Sequence, residues 1–177
     1  MGNFKEDIAK IKALVFDVDG VFTDGSIIPV QNNEFIRSYN AKDGFATKYL
    51  VSRGFKVCII TGGKGSMLTE RFKALGVKDI YVDCTEKLAA LQEFMMHYGL
   101  KREEVLFMGD DIPDIEAMMY AGIAVCPADS AHEVKMISRY VSGYAGGKGC
   151  VRDIIEQVMR SQEKWFTIDF DTEITSA

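Results

Sequence analysis

The chain has 177 residues, 47% apolar and 27% charged, a length and balance that suit one globular unit and exclude a disordered or fibrous chain. Lysine and arginine total 21 against 26 acidic residues, a net charge of −5, which argues against a general grip on nucleic acid or anionic lipid while leaving room for a local pocket that takes a small anion. The longest run without a charge, 117–128, contains Gly122 and Pro127 and is far short of the ~20 residues of a membrane span.

Lys5, Glu6, Asp7, Lys10 and Lys12 come before any apolar run, so no signal peptide is expected. The first apolar run, Ala13–Phe16, reads as a buried strand and ends at Asp17. Residues 25–39 (GSIIPVQNNEFIRSY) hold two short strand-like pieces around Gln31-Asn32-Asn33 and read as a β-hairpin inserted after strand one, either a flap, a lid or an oligomer contact. A helix is expected over Asp43–Arg53, with Phe45, Tyr49 and Leu50 on its apolar stripe and Gly54 as its stop. A second strand, Lys56–Ile60, ends at Thr61. There follow a helix over Ser66–Leu75, a strand at Ile80–Val82, a helix over Glu86–Tyr98, a strand at Val105–Met108 ending in Gly109-Asp110, a helix over Ile112–Tyr120, a strand at Ile123–Cys126 and a helix over Val151–Trp165. The polar, acidic stretch 167–177 is expected to be a mobile tail. Cys58, Cys84, Cys126 and Cys150 form no CxxC pair and are expected to be reduced thiols of a cytoplasmic protein. Alternating strands and helices with continuous apolar strand runs imply an α/β fold, a doubly wound parallel sheet covered on both faces.

In such sheets ligands sit beyond the carboxyl ends of the strands. Asp17 and Asp19 follow the first strand, Thr61 the second, and Asp110, Asp111 and Asp114 the fourth, while Lys87 opens the helix after the third. Carboxylates converging on one edge repel unless a cation sits among them, and a hard divalent ion with oxygen ligands, Mg²⁺ where phosphate is the substrate, answers that need. Taken singly, each feature has a plain structural explanation: Asp-x-Asp and Thr-Gly-Gly are common turns, and acidic residues favour helix N-termini. An EF-hand is excluded because Val21 and Phe22 stand where a ligand and a glycine belong, and a phosphate loop because Gly63-Lys64 and Gly147-Lys148 lack a following Ser or Thr.

At these residues the sequence resembles the haloacid dehalogenase superfamily of phosphotransferases. Asp17-Val18-Asp19-Gly20 is similar to its DxDG motif, Thr61 to its second motif, Lys87 to its third, and Gly109-Asp110-Asp111-Ile112-Pro113-Asp114 to its GDDxxD motif, in order across 13–127. There is no room for a cap domain. Residues 40–44 (NAKDG), 61–64 (TGGK) and 145–149 (AGGKG) resemble the small capless branch that acts on sugar-acid phosphates. The resemblance implies a Rossmann-like single phosphatase domain over 1–166 and a homotetramer whose hairpins build a central barrel. It implies a Mg²⁺-dependent phosphomonoester hydrolase, with an octulosonate 8-phosphate of lipopolysaccharide precursor synthesis as first substrate and a nonulosonate 9-phosphate as alternative. Gly63 departs from the branch, where Arg or Glu is frequent.

Carried over residue by residue, the resemblance makes Asp17 the nucleophile and Asp19 the general acid and base. Thr61 and Lys87 hold the phosphoryl group. Asp17, the Asp19 carbonyl and Asp110 ligate the metal, with Asp111 and Asp114 supporting from behind. Lys42, Lys48 and Arg71 are candidates for the substrate's carboxylate, with Asn40, Asp43, Gly44, Gly62 and Gly63 lining the approach, and Lys148 is a candidate to reach a neighbouring site. Two other classes share some of these features: a phospho-acceptor receiver domain, which usually carries its acceptor Asp on a middle strand, and an inert oligomerisation domain.

Overall fold

The structure, a computed structural model, describes residues 3–167. Its centre is a six-stranded, wholly parallel sheet built from β1 (Ala13–Phe16), β4 (Lys56–Ile60), β5 (Asp79–Tyr81), β6 (Val105–Met108), β7 (Ile123–Cys126) and β8 (Tyr140–Val141), in the order β5-β4-β1-β6-β7-β8. β1 lies in the middle because its four residues are all apolar and fully buried, the composition a strand covered on both faces requires. Leu14, Phe16, Val57 and Ile59 face one layer, formed by α1 (Phe4–Ile8), α2 (Ala41–Ser52), α3 (Ser66–Ala74) and α7 (Cys150–Ser161). Ala13, Val15, Cys58 and Ile60 face the other, formed by α4 (Lys87–Tyr98), α5 (Ile115–Tyr120) and α6 (His132–Ile137).

Phe16 pairs with Ile59 on one side and Met108 on the other. That register brings Asp17, Thr61 and Asp110 out at the same end of the sheet. The remaining strands, β2 (Ile28–Pro29) and β3 (Phe35–Ile36), form the expected antiparallel hairpin. Its turn, Gln31–Asn33, holds Asn32 at φ 61°, a conformation Asn tolerates better than other side chains. The Glu34 carboxylate anchors the hairpin by accepting the Ser66 N–H (2.9 Å) and hydroxyl (2.7 Å) at the start of α3.

Several local expectations need correction. The third strand sits one residue earlier than expected, and α1 and β8 were not anticipated, being short and bordered by polar residues. The stripe assigned to α2 is wrong in part: its buried face is Asp43, Gly44, Ala46, Thr47 and Leu50, while Phe45 is exposed and stacks on Tyr49. The helix expected over 112–120 begins as a 3-10 turn, Ile112–Asp114, because Asp111 accepts the Ile112 N–H (2.8 Å). The last helix ends at Ser161 because Glu163 turns to φ 56°. All four cysteines are free. The segment expected to be a mobile tail lies, from 168 onward, outside the described residues, among which no helix is long and apolar enough to cross a membrane.

Candidate active site

The carboxyl ends of β1, β4 and β6 open into a cleft of about 780 Å³ lined by Asp17, Asp19, Arg37, Thr61, Lys87 and Asp110, among others. Each wall is built by short-range chemistry. Asp17 is fixed to the sheet by its own N–H, which donates to the Met108 carbonyl at 3.0 Å. Thr61 is stitched to the end of β5 by its N–H on the Tyr81 carbonyl (2.9 Å), and the Cys84 N–H returns to the Thr61 carbonyl (3.0 Å). The Thr61 hydroxyl oxygen accepts the Gly63 N–H at 3.0 Å, which sets the turn after β4. The glycine run before α7 braces the loop after β1 through the Gly147 N–H on the Val21 carbonyl at 2.9 Å.

Lys87 is the electrostatic centre. Its ammonium lies 2.9 Å from Asp17 Oδ1 and 2.6 Å from Asp114 Oδ1, and all three side chains are buried. Burial alone disfavours the charged lysine, but Asp17 and Asp114 outweigh that and raise its pKa. The hydrogen-bond alignment of the ammonium favours Asp114. Asp17 Oδ1 is left buried, in ion-pair contact but without an aligned hydrogen bond. Asp114 has both oxygens engaged, since Oδ2 accepts the N–H groups of Asp110 (3.0 Å) and Asp111 (3.3 Å). It therefore positions Lys87 and the Asp110 loop together.

Oxygen atoms of Asp17, Asp110 and Asp114 all lie within 4.8 Å of one another. Such crowding is costly for anions. Desolvation, then Asp114, pushes Asp17 up to about 7, against the opposing pull of Lys87. Desolvation, then Asp17 and Asp114, pushes Asp110 up to about 8. The donor set suits a hard divalent cation: all oxygens, one of them buried without a hydrogen bond, with more negative charge than Lys87 can balance. The cleft is also shaped for close approach. Gly20 adopts φ 89°, and a Cβ there would overlap the Asp110 carboxylate.

Asp19 points across the cleft to Arg37, which donates to it through Nε (2.7 Å) and Nη2 (3.0 Å) as a bidentate pair. The Arg37 side chain is only 4% exposed, its pKa raised chiefly by that hydrogen bonding. Sequence reading missed Arg37, which lies in the hairpin segment just past β3; the 18 residues separating it from Asp19 carry no local signal of the pairing.

The structure brings Asp17, Asp19, Thr61, Gly62, Gly63, Lys87, Asp110, Asp111 and Asp114 to this cleft. It does not bring the other candidates there. Asn40 caps α2 by accepting the Lys42 N–H at 2.8 Å and donates to the Gly147 carbonyl. Asp43 is wholly buried, its pKa raised mainly by desolvation, and it accepts the Arg152 N–H at 2.7 Å in the first turn of α7. Arg71 packs against Gly44 and over the Tyr39 ring at 5.5 Å. Lys48 is exposed on α2. Lys42 and Lys148 border a separate cleft beside Arg152, and Lys148 lies 3.8 Å from Asp24. For Asn40 and Asp43 the reason is the packing of α2 onto α7, which ties the start of α2 to Gly147 and Arg152.

A model of the haloacid dehalogenase-like hydrolases matches residues 79–154. A 3-deoxy-D-manno-octulosonate 8-phosphate phosphatase of Yersinia pestis is 32% identical over 156 residues, covering 88% of this chain and 83% of the relative. This chain belongs to the haloacid dehalogenase-like hydrolases. Its fold agrees with that of solved members of the family. The crystal structure of a Yersinia pestis 3-deoxy-D-manno-octulosonate 8-phosphate phosphatase superposes with a TM-score of 0.87 at 31% identity, covering 90% of this hydrolase and 86% of the other chain. The corresponding enzyme of Moraxella catarrhalis, solved with magnesium, phosphate and a KDO molecule, gives a TM-score of 0.86 at 29% identity and covers 90% and 91% of the two chains. Membership of a hydrolase family removes the receiver-domain and inert-domain readings.

Proposed function

We propose that this hydrolase is a magnesium-dependent phosphatase that releases phosphate from 3-deoxy-D-manno-octulosonate 8-phosphate. The observation that carries the reading is the buried Asp17 carboxylate beside Asp110 at the end of β1, held against Lys87, within the cleft of a chain whose relatives bear that activity in their names. Those names favour the octulosonate ester over the nonulosonate one.

In this reading Asp17 attacks phosphorus in line, the bond from phosphorus to the sugar oxygen breaks, and the phosphoryl group passes to Asp17 as an acyl phosphate. Asp19, which must hold a proton when substrate is bound, gives it to the departing oxygen and then takes one from the water that cleaves the acyl phosphate. Lys87, already charged and desolvated, offsets the repulsion between Asp17 and the phosphoryl oxygens. Thr61 and the N–H groups of the turn after it bind those oxygens. Asp17, Asp110 and the Asp19 carbonyl would hold the magnesium ion, which supplies further charge neutralisation when bound. Asp114, both oxygens engaged, and Asp111, which caps the turn behind Asp110, keep this set in place.

Residues 1–166 act as one catalytic unit in the cytoplasm, assembled as a homotetramer. The apolar, exposed Ile27, Ile28, Val30 and Ile36 of the hairpin support that assembly. Lys42, Lys48, Arg71 and Lys148, away from the cleft of their own chain, are reserved for the site of a neighbour. The test is phosphate release with and without EDTA from octulosonate 8-phosphate, nonulosonate 9-phosphate and neutral hexose phosphates. The reading expects Mg²⁺-dependent turnover with the octulosonate ester strongly preferred; metal-independent release, or preference for the neutral esters, refutes it.

A further inference from the structure

Among the described residues Arg37 is the one arginine lining the cleft, and its Nε and Nη2 both donate to Asp19. The two partners differ in freedom. The Arg37 side chain is 4% exposed, whereas that of Asp19 is 20% exposed. Nη1 also reaches the Lys64 carbonyl at 3.4 Å, and the Phe35 ring lies 5.8 Å from the guanidinium carbon. Arg37 is therefore anchored, and Asp19 is the partner able to leave. The space for this arrangement comes from Gly63: a Cβ there would lie 2.8 Å from Arg37 Nη2 and 3.1 Å from Asp19 Oδ2. The missing side chain at position 63 is what lets a cation from the hairpin segment enter the cleft next to Asp19.

We propose that Arg37 is a specificity-determining residue that receives the carboxylate of an acidic substrate, which replaces Asp19 in the guanidinium fork and releases Asp19 towards the leaving oxygen. The inference rests on the function proposed above, which supplies an acidic substrate and places Asp19 at the leaving group. A buried guanidinium stripped of its anion is strongly unfavourable. Asp19 therefore leaves Arg37 readily only when another carboxylate takes the same fork, which matches Asp19 in charge and planar geometry. A neutral sugar phosphate offers no replacement and meets a cleft in which Asp19 stays engaged. Selectivity for acids thus follows from an exchange of partners, with no covalent step.

The experiment compares octulosonate 8-phosphate with its analogue reduced at the carboxylate to a carbinol, both with the magnesium-loaded enzyme, in wild type, Arg37→Ala and Arg37→Lys. In Arg37→Ala, kcat/KM is expected to fall at least about fivefold more for the acid than for the carbinol, because only the acid uses the fork. A smaller differential, in a variant whose circular dichroism matches wild type, overturns the proposal and leaves Arg37 a structural brace of Asp19. Should Arg37→Ala fail to fold, Arg37→Lys carries the comparison: it keeps the charge but loses the fork, and any folded Arg37→Lys enzyme with undiminished preference for the acid overturns the proposal. Failure of the proposed reaction has a different signature, since the wild type itself then releases no phosphate from the octulosonate ester.

Discussion

Replacing Lys87 by Met removes the positive charge shared by Asp17 and Asp114 while keeping the volume of the side chain. The ammonium sits 2.9 Å from Asp17 and 2.6 Å from Asp114. At an effective dielectric of about 20 each contact is worth roughly 6 kcal/mol in gross Coulomb energy. Desolvation of the three groups offsets most of that, and deleting one member of a buried pair costs about 3–5 kcal/mol net. The loss depends on pH, with a definite sign. Asp17 and Asp110, pushed up to about 7 and about 8, have folded pKa values above their unfolded ones, so the stability they contribute is present at low pH and is lost as pH rises through those values. Near pH 6 both largely keep their protons, and only Asp114 misses the cation. Near pH 8.5 the wild type still has Lys87 to oppose the new charges, and the variant does not. Urea denaturation of the metal-free proteins, followed by circular dichroism, reads this directly. With m of about 2 kcal/mol/M, the variant's midpoint is expected to drop by about 1.5–2.5 M at pH 8.5 and by clearly less at pH 6. Equal midpoints for the two proteins at pH 8.5, or a larger loss at pH 6, refute the electrostatic account of the site.

Four further outcomes follow from the same geometry. Asp17→Asn is expected to abolish turnover while keeping the fold, and residual activity above about a thousandth of wild type in a phosphate-release assay contradicts its role as nucleophile. Gly20→Ala, with φ 89° and a Cβ overlapping Asp110, is expected to weaken Mg²⁺ binding about tenfold or more in titration calorimetry; unchanged affinity shows that Asp110 does not bind the ion from that position. Because the ion has to displace protons from Asp17 and Asp110, its affinity is expected to rise between pH 6 and pH 8.5 with net proton release, and a flat profile argues against those two ligands. Asp43→Ala takes away the acceptor at the start of α7 and is expected to cost about 1–2 kcal/mol in urea denaturation; a cost near zero shows that Asp43 does not cap α7.

Much of the architecture was legible because a strand segment buried on both faces must be apolar, and ALVF, VCII within β4, VLFM and IAVC stand out from their surroundings on that ground alone. The two-residue β8 has no such signature: Tyr140 is half-buried, Val141 exposed, and both take their place from the β7 edge. Asp17, Thr61 and Asp110 were readable as a cluster because a parallel sheet delivers strand ends to one edge whatever lies between. Asn40, Asp43 and Arg71 do not line the cleft of their own chain, for the converse reason. They sit on or beside α2 and α3, and where such side chains point is decided by the packing of α2 on α7 and of Arg71 on Tyr39, contacts between segments distant in sequence. Arg37 was invisible for the same cause, its partner lying across the cleft on the loop after β1.

The central claim is that Asp17 carries the phosphoryl group. The Asp19→Asn enzyme with Mg²⁺ and p-nitrophenyl phosphate isolates that step, since a good leaving group needs no acid to form the acyl phosphate while the loss of Asp19 slows its breakdown. Acid quench, borohydride reduction and peptide mass spectrometry are predicted to find homoserine at position 17. Homoserine at another carboxylate, with Asp17 intact while p-nitrophenol is released, contradicts the account.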